Sequence, residues 1–182
     1  MSRIPRPRPD EMDPAQRALH RELTAGDRAS SPVPVAAPDG RLLGPFNAML
    51  LNPVLGDAVQ RLGAAIRYHG RLSDRAREVA ILTVAAHRDC AFEQTSHEPI
   101  ALAAGLTRAQ LAAIRAGAEP ALSDAQERAV YRGTRLLLTG RVGDPEFREL
   151  VDALGADRLF ELSTLVGYYD LLAVQLDLFG VS

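Results

Sequence analysis

The stretch from Ala156 to Phe179, which carries LFELSTLVGYYDLLAVQLDLFG, constrains the fold more than any other part of the chain. It reads as one long helix that is apolar on more than one face, which predicts burial inside the domain and at a subunit interface. Such a helix needs other helices around it, and the sequence marks where they start. Asp13-Pro14 and Asp144-Pro145 each give a cap followed by proline at the first helical position. Thr107 with Gln110, and Ser123 with Gln126, read as capping boxes. GPFNAMLLNP reads as a short apolar helix ended before Pro53, and Val54 to Tyr68 as an amphipathic one. A further helix runs from Ser73 to about Arg88, and Asp89 is a plausible cap for the one after it. No segment shows strand alternation bounded by hairpin turns. The predicted fold class is all-α.

Residues 1–13 are rich in proline and charge, which predicts an extended N-terminal arm rather than packed structure. Residues 14–182 then form a single helical domain, because a chain of 182 residues that is 47% hydrophobic fills one core well and two poorly. Between Gly26 and Gly44 prolines and glycines recur, so a long loop is expected there, covering something. The charges nearly cancel, 21 basic against 23 acidic, which argues against nucleic acid or an acidic membrane as a partner. No apolar run reaches the length of a membrane span, and the first residues lack the apolar core of a signal peptide. A single cysteine excludes an intrachain disulfide and fits a reducing cytoplasm. Every basic residue other than histidine is arginine. Schiff-base, pyridoxal-phosphate and P-loop chemistry, which all need a lysine, are thereby excluded.

Chemistry-bearing residues concentrate between Ser73 and Leu106. Cys90, Glu93 and His97 stand at offsets of three and four, which on one helix would place them on a single stripe. The Glu93/His97 spacing lets the carboxylate orient the imidazole and fix its tautomer, and an ordinary half-exposed ion pair has the same spacing. Glu78 is either a third member from the preceding helix or a surface glutamate paired with its arginine neighbours. Cys90 is either a thiol activated by a helix N-terminus and a histidine, or a small buried hydrophobe. His87 either faces the same cavity or caps the end of its own helix. Glu98 points elsewhere. Tyr168 and Tyr169 need hydroxyl partners if buried, and can line the pocket. Glu78, Glu93 and His97 match no metal-ligand motif, so no metal is expected, and no cofactor motif is present.

The run REVAILTVAAHRDCAFEQTSHEPIALAAGL resembles the carboxymuconolactone decarboxylase/AhpD-like superfamily. Redox members carry a glutamate, a C-x-x-C pair and then a histidine three residues on; here these positions hold Glu78, Cys90, Glu93 and His97. Glu93 stands where the second cysteine would be, and disulfide cycling needs two neighbouring thiols. The stretches GRLLGPFNAMLLNP and LVGYYDLLAVQLDLFGV are similar to the cysteine-poor, decarboxylase-like branch. The resemblance implies an AhpD-like helical bundle assembling as a trimer or hexamer, with sites near subunit interfaces and an arm able to wrap a neighbour. It also implies a cofactor-independent acid–base decarboxylase or isomerase of a small carboxylated lactone or related carbonyl compound. In that reading His97 moves the proton, Glu93 orients it and Glu78 backs the relay. The alternatives are a one-cysteine alkylhydroperoxidase using Cys90, and an oligomer that binds a small ligand without catalysis.

Overall fold

The computed structural model describes residues 2–25, 33–140 and 142–180, and among them it contains nine α-helices and no strand beyond one isolated antiparallel bridge, Ala36 to Leu42. The bridge falls within the expected long loop, whose residues 26–32 lie outside the described ones. No helix among the described residues is long and apolar enough to cross a membrane. The chain divides into two compact units, Met1–His69 with Val174–Ser182, and Gly70–Ala173.

The first unit holds α1 (Pro14–Ala25), α2 (Pro45–Met49) and α3 (Pro53–Tyr68), with the end of α9 (Ala156–Phe179). Helix α1 opens on a reciprocal cap: Gln16 N–H donates to Asp13 Oδ1 at 2.9 Å, and Asp13 N–H donates to Gln16 Oε1 at 3.1 Å. Two of the donors left over at a helix start are satisfied in this way. Asn52 caps α3 by accepting from Leu55 N–H at 3.2 Å. Gly56 lets α3 lie against α2, since a Cβ there would sit 2.4 Å from the Met49 carbonyl oxygen. Residues 2–13 contain no helix, yet they are tied to their own unit. Arg3 N–H donates to Phe179 O at 2.8 Å, Asn47 Nδ2 donates to Pro5 O at 3.0 Å, and Met12 is buried.

The second unit is built on α4 (Asp74–His87), which packs against α5 (Ala91–Ala103), α6 (Arg108–Arg115) and α7 (Ala125–Thr139). Helix α8 (Asp144–Leu154) covers α7, and α9 supplies the buried Leu162, Leu165, Tyr168 and Tyr169. Every residue from Glu78 to Ala85 is buried, so α4 is the helix enclosed on all sides. Helix α9, expected to be apolar on more than one face, turns Leu162, Leu165, Tyr168 and Tyr169 inward and exposes Leu171, Val174 and Leu178. Arg75 fixes α4 at its start: its guanidinium forms a bidentate pair with Glu127 of α7 at 2.7 and 3.0 Å, and also donates to the Gly105 carbonyl beyond α5. At the other end, Arg88 pairs with Asp170 of α9.

Three expected caps move by one residue. Thr107 and Gln110 form the capping box of α6 as expected, but α7 is capped by Asp124 rather than Ser123, its carboxylate accepting from Glu127 N–H at 3.0 Å. Ser and Asp are near-equal caps, so two adjacent candidates leave the choice to packing. The cap of α8 is Gly143, which places Asp144 in the first turn beside Pro145. Helix α5 is capped by Cys90 and not by Asp89, which adopts φ 50°. That left-handed residue ends α4 and forces the chain to restart.

Candidate functional site

Helices α4 and α5 bring Glu78, Glu93 and His97 together. One turn of α5 sets Glu93 and His97 side by side, and Glu78 approaches from the enclosed helix α4. His97 Nδ1 lies 2.8 Å from Glu78 Oε2, and His97 Nε2 lies 3.3 Å from Glu93 Oε2. The residues are 1%, 3% and 4% exposed in the order Glu78, Glu93, His97, so bulk water does not screen the cluster. The edge-to-face ring of Tyr169 packs on the imidazole, with centroids 5.4 Å apart, and Tyr168 packs on Tyr169 in the same way at 5.3 Å.

Burial alone would push the His97 pKa down, but the hydrogen bonds to Glu78 and then Glu93, together with their charges, outweigh it, and the pKa is raised above 6.5. A neutral imidazole has one N–H and can serve one carboxylate; the imidazolium has two and serves both. The three groups therefore share their protons as a unit. With both ring nitrogens facing carboxylates, His97 offers no free ring position, and any proton it passes on travels through a carboxyl group.

Glu93 was expected to be the principal partner of His97, with Glu78 uncertain; the closer contact is to Glu78. The arginines beside Glu78 are engaged elsewhere, Arg75 with Glu127 and Arg77 with Asp74. Cys90 is buried, and it stands as the N-cap of α5 with no side-chain cap bond. His87 ends α4 as an exposed residue and is not brought to the cluster. Glu98 pairs with Arg115 and stands apart. The buried Arg75–Glu127 pair was not singled out in the sequence; Glu127 inside a helix start gave no sign of burial. Among the described residues no group of three or more His, Cys, Asp or Glu side chains has the arrangement to hold a metal ion.

Comparison with known proteins shows what the chain is similar to. No curated protein matches the chain. Among solved structures, one similar chain is the crystal structure of an alkylhydroperoxidase AhpD core, an uncharacterized peroxidase-related protein from Ralstonia eutropha JMP134. The two are 16% identical with a TM-score of 0.76, over 100% of this chain and 91% of that one, which is a likeness of fold. Residues 53–135, which include Glu78, Glu93 and His97, match the Carboxymuconolactone decarboxylase family. The central helices thus carry a match to the Carboxymuconolactone decarboxylase family, and the chain as a whole is similar in fold to the AhpD-like structure.

Proposed function

We propose that the protein is a cofactor-independent carboxy-lyase, or a related isomerase, acting on a small carboxylated lactone or similar carbonyl compound. The observation that carries this reading is the buried imidazole held between two carboxylates, one on each ring nitrogen. In the decarboxylation, the bond between the carboxylate and its neighbouring carbon breaks, carbon dioxide leaves, and the electron pair stays behind as an enolate or dienolate. The His97 Nε2 proton passes to the Glu93 carboxylate, which delivers it to that carbon, and a solvent proton later restores the imidazolium. Glu78 keeps the Nδ1 side saturated and holds the ring in register. Isomerisation uses the same relay to remove a proton at one carbon and return it at another. The positive end of α5 lies next to Glu93, because Cys90 supplies no side-chain cap to its first N–H groups, and it favours the developing negative charge. Self-association as a trimer or hexamer belongs to the same reading and is supported by the exposed Leu171, Val174 and Leu178 on α9.

The test is release of carbon dioxide from a panel of muconolactone-type and β-keto acids. A turned-over substrate identifies the activity; Glu93→Gln and His97→Gln each reduce the rate by at least a hundredfold, and full turnover by either variant refutes the relay. A second reading rests on Cys90 at the start of α5. Its thiolate attacks an alkyl hydroperoxide, giving the alcohol and a sulfenic acid that an external thiol reduces back. Sulfenic-acid trapping after hydroperoxide treatment tests it, and an unreactive Cys90 removes it.

A further inference from the structure

The second unit contains a cavity of about 340 Å³ between α7, α8 and α9, apart from the Glu–His–Glu cluster. Its lining is apolar except for Ser163, whose hydroxyl donates to Phe160 O at 2.8 Å and so is already satisfied within its own helix. The space is not the result of slack packing. One turn earlier on α7, a Cβ at Gly133 would meet Leu162 at 2.9 Å and Leu150 at 3.2 Å, so the three helices are in close contact there. They part at Leu137, and Leu150 and Val151 form the far wall. At the mouth stand Phe147, 53% exposed, and Phe160, 74% exposed, two aromatic rings left in water.

We propose that this cavity is a binding site for a neutral apolar small molecule, an aromatic or branched hydrocarbon skeleton of about two fused or linked rings. The size follows from an apolar cavity of about 150 Å³ holding one benzene, and the volume lies within the range of small-molecule sites. Neutrality follows from a described lining with no charged side chain and no unsatisfied donor or acceptor, where a buried carboxylate or ammonium would go unpaired. A second copy of the chain is the other possible occupant. Phe160 shares α9 with the exposed Leu171, Val174 and Leu178, so the sedimentation arm of the test below distinguishes the two.

Naphthalene is the probe, added to the full chain up to its solubility limit and followed by methyl NMR. The expected result is saturable shifts concentrated at Leu137, Leu150, Val151 and Leu159, with a dissociation constant in the micromolar range. Val151→Phe and Ala156→Leu fill the space from opposite walls, and each weakens binding at least tenfold while circular dichroism reports unchanged helicity. If one variant fails to fold, the other carries the test. Absent shifts, shifts scattered over the surface, or binding undiminished in a folded filled variant overturn the proposal. So does a cavity occupied by another protomer, seen as Phe160→Ser reducing the sedimenting mass while wild-type protein takes up no naphthalene.

Discussion

Glu78→Gln separates the charge of Glu78 from its shape. The substitution keeps a planar group of the same length opposite His97 Nδ1 and removes one negative charge from a contact of 2.8 Å that is closed to water. A hydrogen bond to a charged partner contributes about 1.5–3 kcal/mol. The raised His97 pKa fixes the sign of the pH dependence. A group whose folded pKa lies above its unfolded value, near 6.5, contributes its full stability below that pH and loses it as pH rises through the folded value. Wild type should therefore exceed the variant by about 2 kcal/mol near pH 6, equivalent to about 1 M in the urea midpoint for a slope of about 2 kcal/mol per M. Above the folded pKa the wild-type cluster retains two carboxylates around a neutral ring, and the variant has shed one of them. The gap then closes or reverses. Urea unfolding at four or five pH values between 5.5 and 9.5 checks this. A midpoint difference that stays constant with pH would mean that Glu78 acts only by shape, and one that widens as pH rises would refute the assigned charge state of His97.

Leu162 is fully buried in α9, so Leu162→Ala should lower stability by about 2–5 kcal/mol, read as a lower urea midpoint at unchanged slope. Gly56→Ala drives a methyl group against the Met49 carbonyl and should cost about 1–3 kcal/mol, measured as a fall in Tm. Arg75→Met leaves the Glu127 carboxylate, 6% exposed, without its partner and should cost about 3 kcal/mol, less than a fully enclosed pair because the Arg75 side chain is 27% exposed. Raising the salt concentration should change that cost little, whereas a purely surface pair would lose its effect.

Much of the fold is legible because helix starts are local chemistry. Asp13, Asn52, Ser73 and Thr107 accept from N–H groups three residues on, and sequence spacing alone finds such caps. The site is legible only where one helix carries it, as with the four-residue step from Glu93 to His97. Whether Glu78 joined them depended on which acid Arg75 and Arg77 took, and Glu127 lies 52 residues from Arg75 in sequence. That Cys90 and not Asp89 would stand as the N-cap of α5 was not legible, because it turns on the backbone of Asp89, whose positive φ ends α4. His87 was open to a stricter reading of the same periodicity. It lies nine residues after Glu78, and at about 100° per residue nine steps place it on the opposite face of α4.

Position 93 decides which chemistry the cluster can serve. A thiol there, beside Cys90, would allow electrons to leave the pair as a disulfide forms, and each turnover would then require an external reductant. A carboxyl group at the same place moves protons only. In the proposed reaction it takes one from His97 and passes it forward to the substrate carbon, so water closes the cycle and no reducing equivalents are consumed. The enclosed helix α4 matters to this difference. By holding Glu78 against Nδ1 it keeps the imidazole from turning away from Glu93, at the cost of keeping two acids and one base out of water. An arrangement of that cost is hard to account for as a stability device, because apolar residues of the same volume would fill the space as well or better. The proposed proton transfer at the α4–α5 cluster accounts for it.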